Sequence, residues 1–338
     1  MNTSTSHSVV ADQMQRVLYE VKRIVVGQDH FLERVLVAML AQGHLLVEGV
    51  PGLAKTLTVK TLARTITGSF KRVQFTPDLV PADLVGTRIY NQRTGDFATS
   101  LGPVFTNLLL ADEINRAPAK VQSALLEVMQ EYQVTIAGET HQVPRPFLVM
   151  ATQNPIETEG TYPLPEAQVD RFMMKVLVGY PNEEEEFVIV ERVTGVPVEV
   201  APVVTTDDLA ALQLECRKVY VDPSLMQYAV RLVAATRTPE RFGLKEMRRH
   251  LTYGASPRAS IHLVEGARAL ALLRGRSYVL PEDVSDLVPD VLRHRLVLSY
   301  EALAESLSAD LLIQRVMAKV PPPPKPLQTH AVEAAAES

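Results

Sequence analysis

Five short apolar runs constrain this chain more than any other feature: His44 to Glu48, Arg72 to Phe75, Asn107 to Ala111, Phe147 to Ala151 and Met174 to Val178. Runs this short, bounded by glycine or polar residues, read as strands buried on both faces. Helical spacing separates several of them, notably over Leu57 to Thr65 and Ala119 to Glu131. Strands that alternate with helices need crossover connections, and crossovers build a parallel sheet. Ahead of the first run, Val10, Met14, Val17, Leu18, Val21 and Val25 predict a helix over 10–25, stopped by Gly27. A second helix over 31–42 stops at Gly43. Two hairpins interrupt the pattern, one between Ile89 and Leu101 with its turn near Thr94-Gly95, one around Thr135 to Gln142 with Ala137-Gly138-Glu139-Thr140 at its tip.

The texture changes at Tyr180-Pro181-Asn182. Asn182 is a good N-cap, and Glu183 to Glu186 then sit where the helix dipole favours carboxylates. Helical patterning continues over 207–217, 223–236, 257–274, 281–297 and 301–317, with no strong strand. A chain of 338 residues has room for about two domains. We therefore expect a disordered 1–9, an α/β core over 10–181, a helical domain over 182–320 and a proline-rich disordered tail over 321–338. Pro321 to Pro324 cannot continue a helix.

Composition removes several classes of function. The net charge is −5, a poor match to a dedicated double-helix binder, which needs a basic surface to neutralise phosphates. A single cysteine, Cys216, excludes an internal disulfide and a cysteine metal site. Histidines such as His250 and His262 lack ligand spacing, so no structural metal is expected. Met1 to Val10 carries no secretion pattern, and Val35 to Ala41 is too short to cross a bilayer. The expectation is a soluble cytoplasmic protein without membrane insertion.

The first strand runs straight into Gly49-Val50-Pro51-Gly52-Leu53-Ala54-Lys55-Thr56 and then a helix. A glycine-rich turn between strand and helix aims backbone N–H groups and the positive helix end into one concavity. Lys55 is placed to reach outer phosphates, and the Thr56 hydroxyl to ligate Mg²⁺. The phosphate-loop pattern expects glycine where Ala54 stands, which a nearly helical backbone there would tolerate. A second motif supports the first. Leu108-Leu109-Leu110-Ala111-Asp112-Glu113 is an apolar strand ending in paired carboxylates. Ligands of open parallel sheets bind at the carboxyl ends of strands, so the two motifs converge. Asp112 would hold Mg²⁺ through water, and Glu113 would polarise an attacking water.

Three further residues join them. Asn154, at the end of the fourth apolar run in Thr152-Gln153-Asn154-Pro155, would orient that water, or simply make a turn. Arg171, in Pro165-Glu166-Ala167-Gln168-Val169-Asp170-Arg171-Phe172, reads either as an arginine finger for a neighbouring subunit or as an ion pair with Asp170 or Glu166. Arg258 follows Ser256-Pro257 at a helix start, where proline fixes the first turn; a plain surface arginine is the alternative.

Taken together, Gly49 to Thr56, Leu110 to Ala117, Ala151 to Pro155, Pro165 to Phe172 and Val291 to Arg295 resemble the MoxR-type AAA+ ATPases, in the magnesium-chelatase-like branch that carries a helix-2 insert. The alanine form of the loop is typical of that family, and the resemblance spans about Val10 to Val320. It implies a P-loop NTPase (AAA+) α/β core with a five-stranded parallel sheet and an all-α lid. It implies ATP or ADP contacts from Gly49, Val50, Pro51, Gly52, Leu53, Ala54, Lys55, Thr56 and Leu57, and an adenine bracket at Val26, Gly27 and Gln28. Thr56 and Asp112 would hold Mg²⁺. Lys55, Glu113, Asn154 and Arg171 would serve hydrolysis, with Arg171 donated in trans and Arg258 reaching nucleotide in cis. The family also implies a homo-oligomeric ring, usually hexameric, that remodels client complexes, often with von Willebrand factor A domain proteins. A nucleic-acid-stimulated motor, a metal-chelatase motor subunit and a nucleotide-gated scaffold are the alternatives. The charge and an aromatic content of 6% count against nucleic acid.

Overall fold

In the computed structural model, residues 3–50, 52–93, 95–155, 160–196 and 198–324 are described. Pro51 and tail residues 325–338 lie outside them. The elements run α1 (Thr3–Lys22), α2 (Asp29–Leu40), β1 (Leu45–Glu48), α3 (Lys55–Thr65), β2 (Phe70–Gln74), α4 (Pro81–Val85), β3 (Gly86–Asn91), β4 (Asp96–Leu101), β5 (Leu108–Asp112), α5 (Ala119–Glu131), β6 (Gln133–Ile136), β7 (Glu139–Gln142), β8 (Leu148–Gln153), α6 (Glu166–Val169), β9 (Met174–Leu177) and α7 (Glu183–Thr194). After α8 (Thr206–Lys218) come α9 (Pro223–Arg237), α10 (Met247–His250), β10 (Leu251–Tyr253), α11 (Pro257–Leu273), α12 (Pro281–Leu292), β11 (Val297–Leu298), α13 (Tyr300–Ala304) and α14 (Ala309–Lys319).

The five apolar runs form one parallel sheet in the order β2-β5-β8-β1-β9. Its central strands are buried on both faces, as their unbroken apolar sequence requires; Leu108, Leu109 and Leu110 are at most 1% exposed. Burial of each such leucine contributes about 2 kcal/mol. His44, ahead of β1, is structural. Its Nδ1 accepts from the Val149 N–H at 3.0 Å, so the proton sits on Nε2, which donates to the Met129 carbonyl at 3.1 Å. Burial drives its pKa down to about 4, and the ring stays neutral. The hairpins β3–β4 and β6–β7 are separate two-stranded ribbons. The second turns at Ala137-Gly138, both with positive φ, the geometry that lets a two-residue turn follow the strand twist.

Several boundaries differ from the sequence reading, each for a local reason. α1 already starts at Thr3, within the stretch expected to be disordered. A helix once nucleated extends through Ser and Thr at small cost per residue. α12 stops at Leu292, short of residue 297, because Val297 and Leu298 pair with β10 instead. The helix expected over 301–317 is two helices. Ser306 turns left-handed at φ 54, and Ser308 caps a fresh start by accepting from the Leu311 N–H. The compact units divide between Cys216 and Arg217, whereas the texture of the sequence changes near residue 182. α7 opens with the Asn182–Glu185 capping box and groups with the α/β unit. So does the segment that follows, whose Val203 and Val204 donate to the Thr65 carbonyl. The second unit contains α9 to α14 and the β10–β11 ribbon.

Candidate functional site

Parallel strands end on one edge of the sheet, and register decides what meets there. Glu48 lies level with Gln153, Gln74 with Asp112, and Ala111 with Ala151. The last pairing sets Asp112 beside Thr152. The loops leaving β1, β5 and β8 therefore enclose a crevice of about 380 Å³, lined by Gly49, Gly52, Leu53, Ala54, Lys55, Thr56, Leu57, Arg72, Asp112, Glu113, Thr152 and Asn154. Lysine and paired carboxylates, distant in sequence, meet in one cavity.

The loop between β1 and α3 folds back on itself. Lys55 Nζ donates to the Gly49 carbonyl at 2.7 Å. A Cβ on Gly49 would come within 2.6 Å of the Val178 carbonyl, so the strand end admits only glycine. Gly52 holds φ +86 with open space around it, a conformation that side chains resist. Ala54 caps α3 at φ 55, ψ 12. This left-handed conformation, not the near-helical one expected, is why the pattern prefers glycine there, and the methyl costs about 1 kcal/mol. Ala54→Gly is expected to match or exceed the native midpoint of thermal unfolding, while Ala54→Val, β-branched, should cost about 2 kcal/mol. Equal midpoints would mean that the loop does not keep this conformation.

The carboxylate side is fixed by hydrogen bonds. Thr152 Oγ1 donates to Asp112 Oδ1 at 2.6 Å and accepts from the Glu113 N–H at 2.8 Å. Arg72 binds Asp112 Oδ2 through Nη2 at 2.5 Å and Nε at 3.1 Å, and reaches Gln74 Oε1 at 2.8 Å. Glu113 is left-handed at φ 56, and its Oε2 lies 3.0 Å from Arg116 Nε. Burial holds the Lys55 ammonium below its ordinary pKa, while Asp112 and Glu113 push it back up. Asn154 is buried at the end of β8. Arg72 and Thr152 are site residues beyond those expected from the motifs. The available signal was their place, polar side chains near the carboxyl ends of two parallel strands.

Other expected residues are not among those that line the crevice. Val50 belongs to the loop but is not among the lining residues. Gly27 and Gln28 are left-handed, and Gln28 Nε2 donates to the Gly179 carbonyl at 2.9 Å. They and Val26 also lie off the lining. Arg171 follows α6, outside the lining, and its Nε has no hydrogen-bond partner among the described residues. Arg258 is exposed in the first turn of α11, in the second unit, where its N–H donates to the Ser256 hydroxyl. Among the described residues, no group of three or more His, Cys, Asp or Glu is placed to hold a metal ion, and no helix is long and apolar enough to cross a membrane.

A phosphate loop and a strand-end acidic pair in one crevice, followed by a helical unit, define an AAA-type ATPase. Family models agree. Residues 44–174 match the ATPase family associated with various cellular activities, and residues 245–316 match the AAA lid domain. The chain is 56% identical over 322 residues to Chaperone MoxR1 of Mycobacterium tuberculosis, covering 94% of this chain and 85% of that protein. It is 31% identical over 333 residues to the MoxR protein of Methylorubrum extorquens, covering 92% and 96%. A crystal structure from Cytophaga hutchinsonii, an ATPase by assignment, superposes with a TM-score of 0.90 at 49% identity, over 95% of this chain and 98% of that one. The chain belongs to the MoxR family of AAA+ ATPases, and it binds nucleotide and hydrolyses ATP.

Proposed function

We propose that this ATPase works as a ring, hexameric as in its wider family, that turns ATP hydrolysis into remodelling of client protein complexes in the cytoplasm. The observation that carries the chemical part is the convergence of Lys55, Thr56, Asp112 and Glu113 on one crevice. Lys55 and the loop from Gly49 to Leu57 hold the phosphates, and Val26 to Gln28 bracket the base. The donor set suits Mg²⁺, a hard cation that takes few protein oxygens and keeps water. Thr56 supplies a hydroxyl. Both Asp112 oxygens already have partners, which fits contact through water. Bound there, the ion would neutralise phosphate charge.

In this reading Glu113 accepts the proton of the attacking water, Asn154 orients it, and Arg171 comes from the next protomer. Arg258 reaches nucleotide in cis from the lid, which moves against the α/β core once the terminal phosphate leaves. The hairpins pass that motion to the client, with von Willebrand factor A domain proteins as partners. The mycobacterial relative's name, Chaperone MoxR1, supports the remodelling role.

Glu113→Gln is the test. It should keep ATP while slowing turnover by about 10²–10⁴-fold, and in ATP it should retain a client that elutes in ADP. Unchanged turnover would remove Glu113 as the base. Capture that ignores the nucleotide would remove the client reading.

A further inference from the structure

We infer that Arg116 is a positioning residue for hydrolysis: its guanidinium fixes one oxygen of the Glu113 carboxylate, so that the other faces the crevice. The inference rests on the reading of Glu113 as the base and adds a residue to it.

The main chain puts the two side chains together. Glu113 is left-handed at φ 56, ψ 51, and a short 3₁₀ turn over Ile114–Arg116 follows it, closed by the Arg116 N–H on the Glu113 carbonyl at 2.9 Å. Three residues make one 3₁₀ turn, so side chains three apart stand one above the other. Arg116 Nε comes to 3.0 Å from Glu113 Oε2 as a result. The backbone of Glu113 is held independently by Thr152. The side-chain torsions are therefore the freedom left to it, and Arg116 takes that freedom away.

The carboxylate is asymmetric in its surroundings. Oε2 is buried and has no hydrogen-bond partner among the described residues, so its ion pair with Arg116 is the contact that answers its charge, with Lys55 attracting the carboxylate from across the crevice. The Glu113 side chain nevertheless keeps 22% of its exposure and lines the crevice. What it presents there is the Oε1 edge. Arg116 is not a lining residue, so it acts on the reaction through Glu113. Without the guanidinium, Oε2 would be a buried anionic oxygen with no cation in contact, Lys55 acting only from across the crevice. The side chain would then turn, and Oε1 would leave its place.

The turn itself is pinned. The Gln122 amide, fully buried, donates to the Ile114 carbonyl at 3.2 Å, the Ala117 carbonyl at 3.0 Å and the Tyr162 carbonyl at 3.0 Å. The Tyr162 N–H donates to the Asn115 carbonyl at 2.6 Å. A guanidinium carried on so fixed a turn makes a precise stop for a carboxylate, and misplacing a catalytic group by about 1 Å costs roughly 10²-fold in rate.

The experiment compares steady-state ATPase activity and ATP affinity of the full chain with Arg116→Ala, Arg116→Gln and Arg116→Lys. Glu113→Gln is the reference, and thermal unfolding reports on folding. The Ala and Gln variants should lose roughly 10²-fold in kcat with KM and ATP affinity unchanged. The Lys variant, which keeps the charge but not the planar fork, should recover most of that loss. A residue that merely filled space would leave Gln and Lys alike. Unchanged or raised kcat in the Gln variant, weakened ATP binding, or equal activity of Gln and Lys would each overturn the inference. If Glu113→Gln is inactive while Arg116→Gln is normal, Arg116 alone is misassigned. If Glu113→Gln turns over normally, the base assignment has failed first.

Discussion

Lys55→Ala leaves a folded protein that no longer holds ATP. The ammonium occupies the turn between β1 and α3, bonded to the Gly49 carbonyl and drawn by both carboxylates across the crevice. An incoming triphosphate offers it far more negative charge than a carbonyl does, so the lysine exchanges one partner for a better one at little reorganisation. Removing it takes away a charge-assisted contact in a partly desolvated place, about 3 kcal/mol or more than 10²-fold in affinity. Titration of a fluorescent ATP analogue measures the loss. The fold should survive, because the lysine tip serves no apolar cluster, and the thermal midpoint should stay near that of the parent. Normal affinity in the variant would contradict the phosphate assignment for the whole loop.

Arg171→Ala should silence its neighbour and spare its own crevice. The side chain sits after α6, off the crevice of its own chain, with Nε unpartnered among the described residues. An arginine that completes an adjacent site is worth about 10³–10⁵ in rate. In the homogeneous variant, activity should therefore fall by at least 10³-fold with ATP binding intact. Mixing separates the alternatives. Arg171→Ala chains combined with Lys55→Ala chains should recover turnover, because each intact crevice of the first then meets an intact arginine of the second. No recovery, in particles shown to be mixed, would mean that Arg171 acts within its own chain.

Much of this molecule was legible before any coordinates. α5 has the limits its spacing predicts, Ala119 to Glu131, because one face of it is apolar at every helical turn and Tyr132 ends it left-handed. The central strands β5, β8 and β1 stand out since both their faces are covered and their sequences cannot alternate, whereas β2, at the edge, exposes Lys71 and Arg72. The second hairpin follows from local turn chemistry, but its tip is Ala137-Gly138 alone, because Glu139 and Thr140, expected in the turn, pair with Ile136 and Thr135. Elements set by distant partners were not legible. Val297 and Leu298 continue a helical pattern in sequence, yet they find a strand at Leu251 to Tyr253 and pair with it. Nor does spacing reveal that Arg72, on an edge strand, grips Asp112, or that Thr152 serves two acidic residues at once.

The sequence by itself determined the alternation of strand and helix, the loop that ends in Lys55-Thr56 and the acidic pair at the close of an apolar strand. These are local properties, carried by periodicity, glycine placement and side-chain chemistry within a few residues. Only the tertiary structure decided which strand lies next to which, and so which side chains share the crevice. Strand order β2-β5-β8-β1-β9 and a register that levels Ala111 with Ala151 are products of long-range packing, and the contacts of Thr152, Arg72 and Arg116 with the acidic pair depend on them or on a turn that no periodicity announces.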